Sequence, residues 1–206
     1  MADFYQVCKN GDMKTIKSLS KGQIDWNYGL YGACEGGHKE ITEYLISKGA
    51  DHWNSGLMAA CWNGNIEIIE LLISKGANDW NRGLSYACQS GNIEIVKLMN
   101  SKGANDWDWG LLNACAGGHI EIVKLMISKG ANHWNKGFYY ACASGHFEIA
   151  ELMLTKGAEY YFDRPDFNKY LMCKVLRKHL LKQKVCKIID YLLLPSCLKM
   201  EMYKYV

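Results

Sequence analysis

Cysteine and histidine fall together three times in this 206-residue chain, as Cys34/His38, Cys115/His119 and Cys142/His146, each a Cys-x-x-x-His. Such pairs hold zinc only when their ligands converge on one point. A glycine stands immediately before each of these histidines, which ends a helix and turns the imidazole away, and asparagine (Asn65, Asn92) fills the same slot elsewhere. The histidines are therefore expected to cap the next helix or to hydrogen-bond a neighbouring loop. No metal or other cofactor is expected. Cys34, Cys61, Cys88, Cys115 and Cys142 recur every 27 residues. Packed helices lie ~8–10 Å apart, too far for the Cα separation of a disulfide, below ~7 Å. Core packing by reduced thiols is the expectation, and no base faces them to make a nucleophile. A phosphate-cradling glycine loop, a catalytic carboxylate pair and a Ser/His/Asp grouping are all absent from the sequence, so no enzyme is expected.

What positions these residues is a repeat. Gly49-Ala50-Asp51-His52, Gly76-Ala77-Asn78-Asp79, Gly103-Ala104-Asn105-Asp106 and Gly130-Ala131-Asn132-His133 start 27 residues apart, and Gly22 and Gly157 extend the series. Trp26, Trp53, Trp80, Trp107 and Trp134 keep the same period, with Tyr161 in the next slot. Each period reads as two short helices. Asn54 is a natural N-cap for a helix from Ser55, a role repeated by Asn27, Asn81, Asp108 and Asn135. The preceding tryptophan would then staple onto the residue four beyond the cap, such as Met58. Leu57, Ala60 and Cys61 share one face of this first helix. Gly64 stops it, Asn65 caps the second, and Ile66, Ile68, Ile69, Leu71, Leu72 and Ile73 supply that helix's apolar side.

Leu84-x-x-Ala87-Cys88-x-x-Gly91-Asn92-x-Glu94-Ile95-Val96-Lys97-Leu98 resembles the ankyrin repeat, with its Leu-His-x-Ala-Ala followed by Gly-His-x-Glu-Ile-Val. His38, His119 and His146 stand at the Gly-His position. The resemblance covers residues 4–163 and implies an all-α, helix-turn-helix solenoid. Ankyrin repeats run to about 33 residues, so the ~6 missing ones are assigned to the connecting hairpin finger, which the short run from Gly76 to Leu84 cannot hold. The stack is expected to be fingerless. Gly29, Gly56, Gly83, Gly110 and Gly137 replace the proline of the family's Thr-Pro helix start. Repeats this short and uniform are similar to those of giant DNA viruses, which implies a viral source; nine cysteines without a visible secretory signal are expected to stay reduced inside a cell, cytoplasmic or nuclear, and that cell is a host cell if the source is viral.

Two domains are expected: the repeat stack over 1–163, with residues 4–21 as its N-terminal cap, and a helical C-terminal cap over 164–206. Charge separates them. Residues 1–163 carry 14 Lys+Arg against 18 Asp+Glu, and residues 164–206 carry 10 against 3. Lys174, Arg177 and Lys178 share one helical face there, as a solvated cap would show, and binding of nucleic acid or an acidic partner is the alternative. Leu194-Pro195-Ser196-Cys197-Leu198 is similar to the start of F-box-like tails on viral ankyrin proteins, which implies an alternative role as an adaptor to a ubiquitin ligase. A closing cap helix is the main expectation for that tail. No basic-then-apolar leader opens the chain, and no apolar run approaches the ~20 residues of a membrane span.

Function is expected at the variable positions. On the first helix, the side away from Leu, Ala and Cys holds Tyr28/Gly32/Glu35, Ser55/Ala59/Trp62, Arg82/Tyr86/Gln89, Trp109/Asn113/Ala116 and Lys136/Tyr140/Ala143. Each unit places one large aromatic there, a composition typical of interface anchors. Tyr28, Glu35, Trp62, Arg82, Tyr86, Trp109, Lys136 and Tyr140 are accordingly the candidate partner-binding residues. A protein is the expected partner and a monomer the expected state.

Overall fold

The computed structural model describes residues 3–19 and 24–159. The expectations for Gly22, Tyr161, the basic 164–206 segment and the Leu-Pro tail lie outside them. Among the described residues there are twelve helices and no strand. They come in six pairs: α1 (Phe4–Lys9) with α2 (Met13–Ser18), α3 (Trp26–Gly36) with α4 (Lys39–Ser47), α5 (Trp53–Asn63) with α6 (Ile66–Lys75), α7 (Trp80–Ser90) with α8 (Ile93–Ser101), α9 (Trp107–Gly117) with α10 (Ile120–Ser128), and α11 (Trp134–Ala143) with α12 (Phe147–Thr155). Pairs are joined by turns too short for a finger, as Gly76–Asp79 between α6 and α7 shows.

Two turn chemistries repeat. Within a pair, a left-handed glycine such as Gly64 (φ 95°) ends the odd helix, and Asn65 accepts the Ile68 amide to start the even one. Between pairs, Gly76 (φ 114°) lets the Ala77 amide reach back to the Leu72 carbonyl, and Ala77 itself is buried. The recurring Gly-Ala is thus a helix stop followed by a core residue.

One expectation is corrected at the odd-helix N-termini. The helices start at the tryptophans, with Asp25, Asp79 and Asp106 as side-chain caps and His52 and His133 in the same slot. Asn27, Asn54, Asn81, Asp108 and Asn135 are therefore inside the first turn and are not the caps. The tryptophans are not pre-cap staples either. They pack half-buried against the core, and the Trp53 indole Nε1–H donates to the Ala50 carbonyl at 3.2 Å.

The odd helices pack on one another along the stack, whereas the even ones lean on their own odd partner and touch each other sparsely. A stack held tightly on one row and splayed on the other bends toward the tight row, so the free face of the odd helices is concave. Glycine permits that tightness. A Cβ on Gly83 would lie 3.3 Å from Cys61 Sγ of the preceding pair and 2.7 Å from Met99 Sδ of its own partner helix α8. Leu57, Leu84 and Leu111 with their Ala-Cys neighbours, plus Ile68, Ile69, Leu72 and their equivalents, form one continuous core. Ile66, expected on the apolar side of α6, is 39% exposed.

Candidate functional site

The concave face carries three columns of side chains, from the third, seventh and tenth positions of α3, α5, α7, α9 and α11. Tyr28, Trp62, Trp109 and Tyr140 are exposed by 48%, 40%, 52% and 36%, and Tyr86 is half-buried against the core. Arg82 and Lys136 are exposed as well. The rings do not stand alone. Trp62 and Tyr86, from successive pairs, meet edge to face at 6.4 Å, and Tyr28 lies 5.2 Å from Tyr5 of the N-terminal unit. Gly32 and Ala59, expected on this free side, are buried in the seam between neighbouring odd helices. A Cβ on Gly32 would meet the Tyr5 carbonyl oxygen at 2.6 Å.

Glu35, the remaining candidate, is committed to the fold. Its carboxylate accepts from Tyr5 Oη–H and from Lys9 Nζ, the latter at 2.7 Å, tying α1 to α3. Partial burial alone would raise this carboxyl, but the Lys9 and Tyr5 hydrogen bonds outweigh that and hold it below its ordinary value. With its charge met by Lys9, Glu35 leaves Arg82 and Lys136 as the charged side chains of the three columns that carry net positive charge. Arg82 is itself 3.5 Å from Asp79, yet its side chain is 68% exposed.

The asparagines that do not cap do something else. Asn54 Oδ1 accepts the Asn78 amide at 2.8 Å and the Asp79 amide at 3.0 Å, so the start of α5 holds the loop that opens α7. Asn27 does the same for Asp51 and His52, Asn81 for Asn105 and Asp106, and Asp108 for Asn132 and His133. Asn135 accepts the Glu159 amide at 2.8 Å. Sequence reasoning missed this ladder, although a side chain able to accept two amides once per period was its visible signal.

The histidines form a second ladder. His38, His119 and His146 occupy N-cap positions without capping. Each ring's Nε2–H donates to a carbonyl of the preceding pair: Lys9 at 2.9 Å, Gln89 at 3.1 Å and Ala116 at 3.1 Å. The expected capping is not made, and the bond expected to a neighbouring loop goes instead to the last turn of the preceding pair's odd helix. Cys8, Cys34, Cys61, Cys88, Cys115 and Cys142 are free and buried, and burial pushes their thiols up to about 12. Among the described residues, no group of three His, Cys, Asp or Glu side chains could hold a metal, and no helix is long and apolar enough to cross a membrane.

Comparison with known families agrees with the geometry. The family described as Ankyrin repeats (3 copies) matches residues 4–83 and again 84–163. The chain belongs to the ankyrin repeat family. No curated protein matches it significantly. Ankyrin repeats are in general protein–protein interaction modules, typically without enzymatic activity.

Proposed function

We propose that this ankyrin repeat protein binds a protein partner through the concave face of its first helices, with Tyr28, Trp62, Arg82, Tyr86, Trp109, Lys136 and Tyr140 as the contact set. One observation carries the reading. Four of the five large apolar side chains exposed among the described residues, Tyr28, Trp62, Trp109 and Tyr140, stand on this one face, and only Ile66 stands elsewhere. A repeat core needs its in-register residues, and these vary from pair to pair instead. Large aromatics left in water on a concave surface are the anchors that interfaces use. Glu35, the tenth residue of α3, ties the face to α1 through Tyr5 and Lys9. The division into a stack over 1–163 that binds and a separate basic segment over 164–206 belongs to the same reading.

The test is affinity capture from source-cell lysate with wild-type protein, Trp62→Ala/Trp109→Ala and Glu70→Ala, the last on the outer row. A partner held by wild type and by Glu70→Ala but lost by the double variant supports the proposal. A partner retained by the double variant places the interface elsewhere.

A further inference from the structure

Trp109 is the most exposed of the large apolar side chains among the described residues, at 52%. It differs from the other exposed rings of the concave face in a second way. Tyr28 lies against Tyr5, Trp62 against Tyr86 and Tyr140 against Tyr139, whereas among the described residues the Trp109 ring stacks on no other ring. Its neighbours are fixed by the repeat. Arg82, Trp109 and Lys136 are each the third residue of their helix, on α7, α9 and α11. They stand side by side along the stack, one helix spacing of ~8–10 Å apart at the backbone, with the indole between two cations. Neither cation sits over that indole among the described residues.

The charge of this row is unlike that of the stack around it. Residues 1–163 carry 14 Lys+Arg against 18 Asp+Glu, yet the face columns of α7, α9 and α11 hold Arg82 and Lys136 and no acidic residue. The Arg82 side chain is 68% exposed, and among the described residues Lys136 has no ion-pair partner. The acidic groups at the starts of these helices are engaged by backbone amides. Asp79 accepts the Arg82 amide, Asp106 the Trp109 amide, and Asp108 the Asn132 and His133 amides.

We infer that this row binds an acidic segment of the partner, in which one large apolar side chain packs on Trp109 and a carboxylate on either side of it pairs with Arg82 and with Lys136. The inference deepens the concave-face reading and rests on it. An unstacked indole offers apolar area to bury, and a positive patch steers and orients a negative one. The spacing selects carboxylates over phosphates. A phosphate dianion is held by cations that converge on it. Arg82 and Lys136 are two helices apart, ~16–20 Å at the backbone, with Trp109 between them. Each therefore meets a separate single charge. A nucleic-acid strand fits less well for a second reason: its continuous run of phosphates would pass the carboxylates of Asp79, Asp106 and Asp108 at the helix starts.

The experiment selects displayed peptides of unbiased sequence on the full-length protein. A length of about twelve residues, ~40 Å when extended, spans the row. The expected binders carry one aromatic or large aliphatic residue with Asp or Glu on both sides of it. They lose about thirtyfold or more in affinity on Trp109→Ala, as an anchor does, and about fivefold or more on Arg82→Glu and on Lys136→Glu. Replacing one carboxylate of a binder by lysine weakens it on wild type, and one of the two charge reversals restores it. Both reversals change exposed side chains, so they carry the test even if Trp109→Ala lowers stability. Binders that need a tryptophan but ignore both reversals, or need the cations but not Trp109, would overturn the acidic-segment reading and leave the concave-face reading standing. Binders indifferent to Trp62, Trp109 and both cations would overturn the two together. A single-stranded oligonucleotide that binds more tightly than every selected peptide, and is lost on the same reversals, would assign the row to nucleic acid instead. A selection that yields no binder also overturns the acidic-segment reading.

Discussion

Burial holds the thiols of Cys34, Cys61, Cys88 and their equivalents near 12, so at neutral pH they are protonated as well as covered. In the native protein Cys8, Cys34, Cys61, Cys88, Cys115 and Cys142 should resist a thiol reagent at pH 8. After denaturation without reductant, all nine cysteines should react. Two or more missing thiols would reveal a disulfide, and one that involves any of these six cysteines would overturn the ladder reading. A second residue-scale consequence concerns Glu35. Its depressed carboxyl contributes stability that is complete above the ordinary glutamate value of about 4.3 and is lost as pH falls through the lower folded-state value. Hydrogen exchange of the α1 amides should therefore quicken relative to α7 in that acid range. Glu35→Gln should remove the pH-dependent part. Because the pair is partly exposed, the effect stays within about 1 kcal/mol.

At the scale of elements, the repeat depends on which residues let helices approach and which tie one pair to the next. Gly83→Ala would gain about 1 kcal/mol of helix propensity. The added Cβ, however, falls 2.7 Å from Met99 Sδ, and overpacking typically costs ~1–3 kcal/mol. A net loss of stability in chemical denaturation is expected, relieved in Gly83→Ala/Met99→Ala relative to Met99→Ala alone. Asn81→Ala removes the acceptor for the Asn105 and Asp106 amides and should cost about 1–2 kcal/mol, whereas Asn81→Asp, which copies Asp108, should be nearly neutral. The two-helix period, the glycine stops, the Leu-Ala-Cys core and the missing finger were all legible in the sequence, because each is a local pattern repeated at a fixed offset. The helix starts were not. Asp79 and Asn81 are both good caps, and choosing between them requires knowing that the Asn81 oxygen is taken by the next loop. Gly32 and Ala59 were misplaced for a similar reason: only the helix of the neighbouring pair shows that the seventh position faces a seam in some repeats and the open face in others. The ties of Glu35 to Tyr5 and Lys9, 30 and 26 positions away, were not legible either, because no local pattern links residues that far apart.

At the scale of the whole molecule, the tryptophans divide into two classes with opposite tasks. Trp26, Trp53, Trp80, Trp107 and Trp134 are in register, half-buried and packed on the core that joins the pairs. Trp62 and Trp109 are out of register and exposed on the concave face. The most direct test measures unfolding and partner binding on the same three proteins: wild type, Trp53→Ala and Trp62→Ala/Trp109→Ala. Trp53→Ala should lose ~3 kcal/mol of stability as a packed aromatic, yet, while folded, bind the concave-face ligand with little change. The double variant should unfold close to wild type, within roughly 0.5–1 kcal/mol per site, and lose at least ~2 kcal/mol of binding. If Trp62→Ala/Trp109→Ala instead unfolds the stack while Trp53→Ala is silent, or if the double variant binds as tightly as wild type, the concave aromatic face is not the interface.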